Sequence, residues 1–349
     1  MLSRTCKSRH VVGFVCRPLK PPFAQAGVAR RQHSTVSQVF GDIDIGSFRR
    51  DSFEVEKPLF LKPTGKNVPS AIPALEKWFT TTSIDGHNET SVTPYLEQHS
   101  TTWLPYELMM DQTSEPPLAS PLTSFLTWLS ASGASDHQAL AALLLDQTET
   151  IPHSSTPQAC FLRFEAPLGL LLAGLKFNQQ SPPPHRLQQL YIAQAPLDTL
   201  PPQLQDDVPT PTLVKEAGKG DVYNSSIWMG LEPTYTPWHR DPNPNFFCQL
   251  HSSKVVRLMP PRRGEQLFLQ ARSQLGQAGG SRIRGDEMMQ GEERRVLLDA
   301  VWGEGAPDDM REVRLDRADA LFIPKGWWHS LRSDGSQGGL NASVNWWFR

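Results

Sequence analysis

Thr236-Pro237-Trp238-His239-Arg240-Asp241 is the stretch on which the reading of this chain turns. His239 and Asp241 form a His-x-Asp pair, and Trp327-Trp328-His329 supplies a second histidine farther on. Two imidazoles and one carboxylate are the donors of a facial triad. Three ligands hold one face of an octahedral Fe(II) and leave the other open to a co-substrate and O2; Mn2+, Co2+ or Ni2+ would fit the same donors. A bare His-x-Asp arises by chance, and His87-Asn88-Glu89 offers similar chemistry. That second motif follows the polar run Thr80-Thr81-Thr82-Ser83-Ile84-Asp85-Gly86, which reads as a loop with no strand around it.

The surroundings of His239 read differently. Residues 224–230 have the aromatic and β-branched content of a strand, and Pro233 and Pro237 mark a bend before the ligands. Asn245-Phe246-Phe247-Cys248-Gln249-Leu250 reads as a buried strand. A turn at His251-Ser252-Ser253 leads into the alternating strand Lys254-Val255-Val256-Arg257-Leu258-Met259, which stops at Pro260-Pro261. His329 sits in a similar setting, with Ala320-Leu321-Phe322-Ile323 before it and a last strand, 342–348, after it. Many short strands with turn signals and no helix between them predict a mainly β fold, a double-stranded β-helix of the jelly-roll or cupin type. Trp238, between Pro237 and His239, points away from the ligand side of a regular strand. Most of the tryptophans nearby read as barrel core.

From Tyr191 to Arg349 the chain resembles the JmjC, cupin-like 2-oxoglutarate oxygenases, and most closely their small protein-hydroxylase branch. The residues that carry the resemblance are Tyr191-Ile192-Ala193-Gln194, Thr236 to Pro242, Asn245 to Gln249, Lys254, Leu321 to Pro324 with Trp327-Trp328-His329, and Ser343 to Trp347. It implies His239, Asp241 and His329 as metal ligands, with Fe(II), 2-oxoglutarate and O2 as cofactor and co-substrates. It also implies Lys254 as the cation for the distal carboxylate of 2-oxoglutarate, Thr236 and Tyr191 as hydroxyl donors to it, and Asn245 and Asn345 as polar neighbours. Tyr191 also reads as a core tyrosine, and Asn341 competes with Asn345. The implied activity is hydroxylation of a protein side chain. The alternatives are a tRNA-modifying enzyme on the same scaffold, a non-catalytic cupin that binds metal or a partner, and a cupin using its metal without 2-oxoglutarate.

Residues 1–33 carry Arg4, Lys7, Arg9, Arg17, Lys20, Arg30 and Arg31 and no acid, the pattern of a mitochondrial transit peptide, so a matrix location is expected. Removing these seven charges takes the net charge from −2 to −9, which leaves no footprint for non-specific nucleic-acid binding. Cys6 and Cys16 lie in the leader; Cys160 and Cys248 have apolar neighbours and no metal-binding spacing. The longest apolar run, 166–175, is too short to span a bilayer, and a soluble protein is expected.

Residues 34–180 read as a Pro-rich, partly helical extension, with short helices at 70–79 and 122–129 and an amphipathic one at 136–145 capped by Asp136. Phe161-Leu162-Arg163-Phe164 or the apolar run after it adds a strand, and Ser181-Pro182-Pro183-Pro184 breaks the chain before the barrel, 181–349. By resemblance such extensions wrap the barrel or build dimers, so a homodimer is an expectation. The segment 262–312 reads as a solvated insertion with a flexible Gly276-Gln277-Ala278-Gly279-Gly280 loop and one helix, 293–300. A substrate lid is its alternative reading.

Overall fold

A computed structural model describes residues 34–63, 72–84, 87–111, 120–149, 159–275, 291–335 and 337–349. The leader at 1–33 and the glycine-rich loop at 276–280 lie outside the described residues. His33–Arg349 forms one compact unit.

The strands, in chain order, begin with β1 (Ser34–Thr35), β2 (Ser37–Phe40), β3 (Leu59–Lys62), β4 (Phe79–Ile84) and β5 (His87–Val92). Next come β6 (Trp103–Asp111), β7 (Ala159–Pro167), β8 (Leu190–Pro196), β9 (Val222–Leu231) and β10 (Tyr235–Arg240). The last six are β11 (Asn245–His251), β12 (Lys254–Met259), β13 (Arg311–Leu315), β14 (Ala320–Ile323), β15 (Trp328–Ser333) and β16 (Leu340–Phe348). One sheet runs β1-β13-β12-β15-β10, the other β2-β3-β14-β11-β16-β9-β8-β6-β7. The two form the jelly roll that the strand pattern predicts.

Alternation along the strands builds the layers. Val256, Leu258, Val313, Leu315 and Leu331 of the smaller sheet meet Phe247, Leu321 and Ile323 of the larger one in an apolar core between them. The opposite face of the larger sheet carries Phe246, Cys248, Phe322, Val344, Trp346 and Phe348 into a second core shared with the helices Pro121–Ala131 and Gly169–Gln179. A third core covers the outer face of the smaller sheet. There Trp238, Met259 and Trp328 pack under Phe268 and Ala271 of the helix Pro261–Ser273 and Val296, Leu297 and Val301 of the helix Gly291–Trp302.

The segment between the ligand arms therefore differs from expectation. Its described residues hold two helices where one was expected, and these bury an apolar face instead of lying solvated. The first was hidden because Pro260-Pro261 reads as a stop, although proline is well suited to the first turn of a helix. Gly264 inside it marks a close approach: a Cβ there would lie 2.3 Å from the Cβ of Trp328. A mid-helix glycine costs about 1 kcal/mol relative to alanine. Burial of a large side chain returns about 1.5–3 kcal/mol, so seating the helix on Trp328 wins. Trp238 faces this layer as expected, stacked on Trp328 at 5.9 Å and donating its indole N–H to the Gly264 carbonyl at 3.1 Å.

Other expectations are also corrected. Residues 80–84 of the polar run are a hairpin arm rather than a loop, since β4 and β5 pair antiparallel from Phe79–Val92 to Ile84–His87, and the threonines are β-branched and suit a strand; Asp85 and Gly86 lie outside the described residues. Asp136 is not the cap of its helix, which spans Ser135–Glu149 with the Gln138 N–H donating to the Ala134 carbonyl; Asp136 sits in the first turn, where the helix dipole favours an acid. Of the helix expected at 70–79, the described residues 72–79 are helical over Ala74–Lys77, and Phe79 already starts β4. The strand at 161–164 is part of β7, while the following run forms the helix Gly169–Gln179. Pro237 lies within β10, at an irregularity of that strand rather than before it.

Candidate metal and co-substrate site

β10 and β15 pair antiparallel with His239 opposite His329, and the two imidazole centroids are 4.2 Å apart. Thr236 and His239 are three residues apart and would face opposite sides of a regular strand. Between the pairs Thr236–Leu331 and His239–His329, however, β10 carries one residue more than β15. This bulge turns Thr236 and His239 to the same cavity and Trp238 away from it.

Backbone carbonyls set the state of both imidazoles. The Nδ1 of His239 lies 2.8 Å from the Pro237 oxygen, and that of His329 lies 3.0 Å from the Trp327 oxygen. A carbonyl can only accept, so each Nδ1 carries a proton, which leaves Nε2 as the ring atom available to a metal. The Nε2 atoms sit 3.9 Å (His239) and 3.6 Å (His329) from Asp241 carboxylate oxygens, too long for hydrogen bonds. One donor atom from each of the three residues lies within 4.8 Å of the others, a spacing that could hold a metal ion.

Asp241 follows β10, and its carbonyl accepts the Gly326 N–H at 2.9 Å. Its Oδ2 accepts the Trp347 indole N–H at 2.8 Å and the Asn245 amide at 3.0 Å. Burial opposes the charge of this carboxylate, but the facing imidazoles of His329 and His239 and these two donors hold its pKa below the usual range. An ionised carboxylate beside two imidazole Nε2 atoms fits a divalent cation.

The five residues expected around the co-substrate, Tyr191, Thr236, Asn245, Lys254 and Asn345, line the same cavity of about 260 Å³ as the three candidate ligands. Lys254 starts β12 and is 3 % exposed. Its Nζ donates to Ser343 Oγ at 2.8 Å and to the Tyr191 hydroxyl at 3.2 Å, and it lies 5.5 Å from the Phe247 ring centroid. A buried ammonium ringed by hydroxyls is a receptor for an anion, because charge-assisted hydrogen bonds in a dry pocket are strong. Gly230 makes room for Tyr191, since a Cβ there would lie 2.4 Å from the tyrosine Cδ2.

Asn345 is the asparagine of the cavity, and Asn341 is not. Asn345 accepts from the Trp228 indole at 2.8 Å and donates to Asn245 at 3.1 Å, so an amide chain runs Trp228–Asn345–Asn245–Asp241. Asn341 instead donates to Glu232 at 2.8 Å and to the Ser253 carbonyl at 3.0 Å. The reading of the tryptophans as core misses Trp228 and Trp347, whose indole N–H groups serve this network. Ser343 was missed as well. Period-two alternation from Asn345 along β16 reaches both Ser343 and Trp347 and could have found them.

Residues 48–349 match the Cupin-like domain family, and the chain is a member of the JmjC, cupin-like 2-oxoglutarate oxygenase family. It is 26% identical over 177 residues to Lysine-specific demethylase JMJ30 of Arabidopsis thaliana, covering 51% of this chain and 37% of that protein. It is 28% identical over 172 residues to Lysine-specific demethylase JMJ31 of the same plant, covering 47% and 29%. With Jumonji C domain-containing protein 5 of Drosophila melanogaster it shares 29% over 161 residues, 45% and 36% of the two chains. The matches thus span about a third of these relatives' own length. Members of the family use Fe(II) and 2-oxoglutarate with O2.

Two measurements check this geometry. Trp347→Phe removes the donor to Asp241 while keeping an aromatic ring, and weaker Mn2+ binding by about 10- to 100-fold is expected from loss of such a partner, read by electron paramagnetic resonance. Glu232, bonded to Asn341 and Ser252, is pushed by burial from the usual 4.5 up to about 7. Its folded pKa lies above its unfolded one, so its contribution is full below about pH 4.5 and lost as the pH rises through about 7. Urea midpoints should show Glu232→Gln gaining stability over the wild type at about pH 8 but little at about pH 5; equal gains at both would count against a buried, proton-holding Glu232.

Proposed function

We propose that this chain is an Fe(II)- and 2-oxoglutarate-dependent oxygenase that hydroxylates a protein side chain. The observation that carries the reading is the convergence of His239, Asp241, His329, Lys254, Thr236 and Tyr191 on one cavity. In this reading His239, Asp241 and His329 hold Fe(II), which when bound supplies the activation of O2. Lys254 binds the distal carboxylate of 2-oxoglutarate, with Tyr191 and Thr236 as hydroxyl partners. The protein's own task is to orient these donors and to exclude water, which Phe247, Ile323 and Leu331 do on the inner wall. The overall change is balanced: C–H, 2-oxoglutarate and O2 become C–OH, succinate and CO2.

A groove supports a polypeptide over a tRNA substrate. It shares Tyr223 and Asn243 with the cavity and is lined by Glu54, Glu56, Lys219, Lys325 and Arg349. Mixed charge of this kind suits a polypeptide, whereas a phosphate backbone calls for a basic track. That two of the relatives are lysine-specific demethylases favours a second reading, oxidation of a methylated lysine by the same chemistry. We further propose that residues 1–33 address the protein to the mitochondrial matrix, on the strength of their seven positive charges and absence of acid. Among the described residues no helix is long and apolar enough to cross a membrane.

Succinate release from residues 34–349 with Fe(II), 2-oxoglutarate and O2 tests the activity. Slow uncoupled turnover is expected, abolished in His239→Ala and needing at least about tenfold more 2-oxoglutarate in Lys254→Ala, since stranding a buried carboxylate costs about 2–5 kcal/mol. If neither turnover nor 2-oxoglutarate binding to the Mn2+-loaded protein is found, the chain is a non-catalytic cupin. Import into isolated mitochondria should shorten the full chain near Ser34; an unprocessed, protease-sensitive product would count against the matrix address.

A further inference from the structure

Behind the cavity, and outside its lining, lies a second buried carboxylate. The inner face of β9 runs Trp228, Gly230 and, just past the end of the strand, Glu232; that of β16 runs Asn345, Ser343 and Asn341. The register sets Ser343 opposite Trp228 and Asn341 opposite Gly230. Lys254 donates to Ser343, the middle residue of its row. Asn341 follows about 7 Å farther along the strand. Its amide donates to Glu232 Oε1 at 2.8 Å and to the carbonyl of Ser253, the chain neighbour of Lys254, at 3.0 Å. Ser252 donates to the same Oε1 at 2.8 Å. Gly335 leaves room for the other oxygen, since a Cβ there would lie 2.0 Å from Oε2. Glu232 is 1 % exposed, and its Oε2 has no hydrogen-bond partner among the described residues.

A carboxylate so enclosed needs a counter-ion or a proton. Lys254 is the counter-ion within reach, and its ammonium favours the charged form of Glu232. The other charged or titratable groups around Glu232 are engaged elsewhere or neutral. Arg314 of β13 also acts on Glu232, but it pairs with Asp316 at 3.1 Å and with Asp334. His251, which ends β11, is neutral at ordinary pH because burial and Arg317 push its pKa down to about 4. The Tyr191 hydroxyl of β8 accepts from Lys254. Burial outweighs Lys254 and the two donors and pushes the Glu232 pKa up to about 7, so both of its forms are populated at neutral pH.

The co-substrate would bring a further carboxylate to the same ammonium. Two carboxylates that share one buried cation cannot both stay charged without cost, and the pKa of one of them rises. The distal carboxylate would keep its charge through direct hydrogen bonds from Lys254 and the hydroxyls beside it. Glu232, linked to Lys254 through Asn341 and Ser253, is the one placed to take the proton.

We infer that Glu232 is a positioning residue for co-substrate binding: it is the standing counter-carboxylate of Lys254, and it picks up a proton from solvent when the distal carboxylate of 2-oxoglutarate arrives at the ammonium. This inference rests on the oxygenase reading above and adds a proton to its co-substrate step.

Calorimetry of 2-oxoglutarate binding to the Mn2+-saturated protein, repeated in buffers of different ionisation enthalpy, counts the protons taken up. The wild type should take up about half a proton near pH 7.5, and its Kd should rise between about pH 7 and 8.5, by at most about tenfold per pH unit. Glu232→Gln keeps the shape and an acceptor for Asn341 and Ser252 but cannot titrate. It should lose most of the uptake and hold its affinity over the same range. Infrared difference spectra give an independent reading: a protonated-carboxyl band should appear on adding 2-oxoglutarate to the wild type and be missing in Glu232→Gln. No uptake and a flat affinity in the wild type would overturn the inference, and so would an uptake and a band that Glu232→Gln retains. In both cases 2-oxoglutarate still binds and the oxygenase reading stands. A protein that binds no 2-oxoglutarate at any of these pH values would remove that reading and this inference with it.

Discussion

A buried carboxylate between two imidazoles keeps its charge only if its oxygens are otherwise satisfied, and much of this barrel is arranged around that demand at Asp241. Trp347 and Asn245 both donate to Oδ2, while His239 faces Oδ1 and His329 faces Oδ2. Asn245 is held in turn by Asn345, and Asn345 by Trp228, so the chain of donors crosses from β11 to β16 and then to β9. Each link is one residue of a period-two alternation whose other residues form the helical core. Loss of register in β16 by a single residue would take Asn345 and Trp347 out of the cavity and turn Asn345 into the helical core.

Departures from that alternation shape the cavity. The bulge in β10 brings Thr236 and His239 to one side, so that a metal ligand and a hydroxyl at the deeper end come from the same strand. The bulge in β8 brings Gln194 to the rim beside Tyr191 of the floor. An extra residue costs one ladder position and re-aims a side chain that regular geometry would send elsewhere. Both lie where a side chain must be re-aimed into the cavity, and the other strands that line it, β11, β12, β15 and β16, supply their inner residues by plain alternation.

Rigidity comes from the layers on either side. Trp238 and Trp328 flank the candidate ligands in sequence but point outward, where two helices seal them, and the buried Arg272–Glu293 pair at 3.4 Å joins those helices. Each ligand histidine is thus next to a tryptophan locked in a separate core, which restricts its backbone without entering the cavity. The arrangement keeps the donors close to their places before any ion arrives, as a precise metal site requires.

Much of this was legible from residue order. The strands β9, β11, β12, β14, β15 and β16, the trio His239, Asp241 and His329, and Lys254 with Thr236 stand out because strand alternation, turn residues and ligand chemistry are local properties of a few neighbouring positions. The helix Pro261–Ser273 was not, because a proline pair reads alike as a stop and as a first turn, and only the apolar faces of Trp238 and Trp328 decide between them. The choice between Asn341 and Asn345, the entry of Trp228 and Trp347 into the donor network and the aim of Gln194 were likewise settled by tertiary structure. Each depends on which strand lies opposite and where a single residue has been inserted, and pairing across the sheets is a long-range contact that one strand's sequence does not contain.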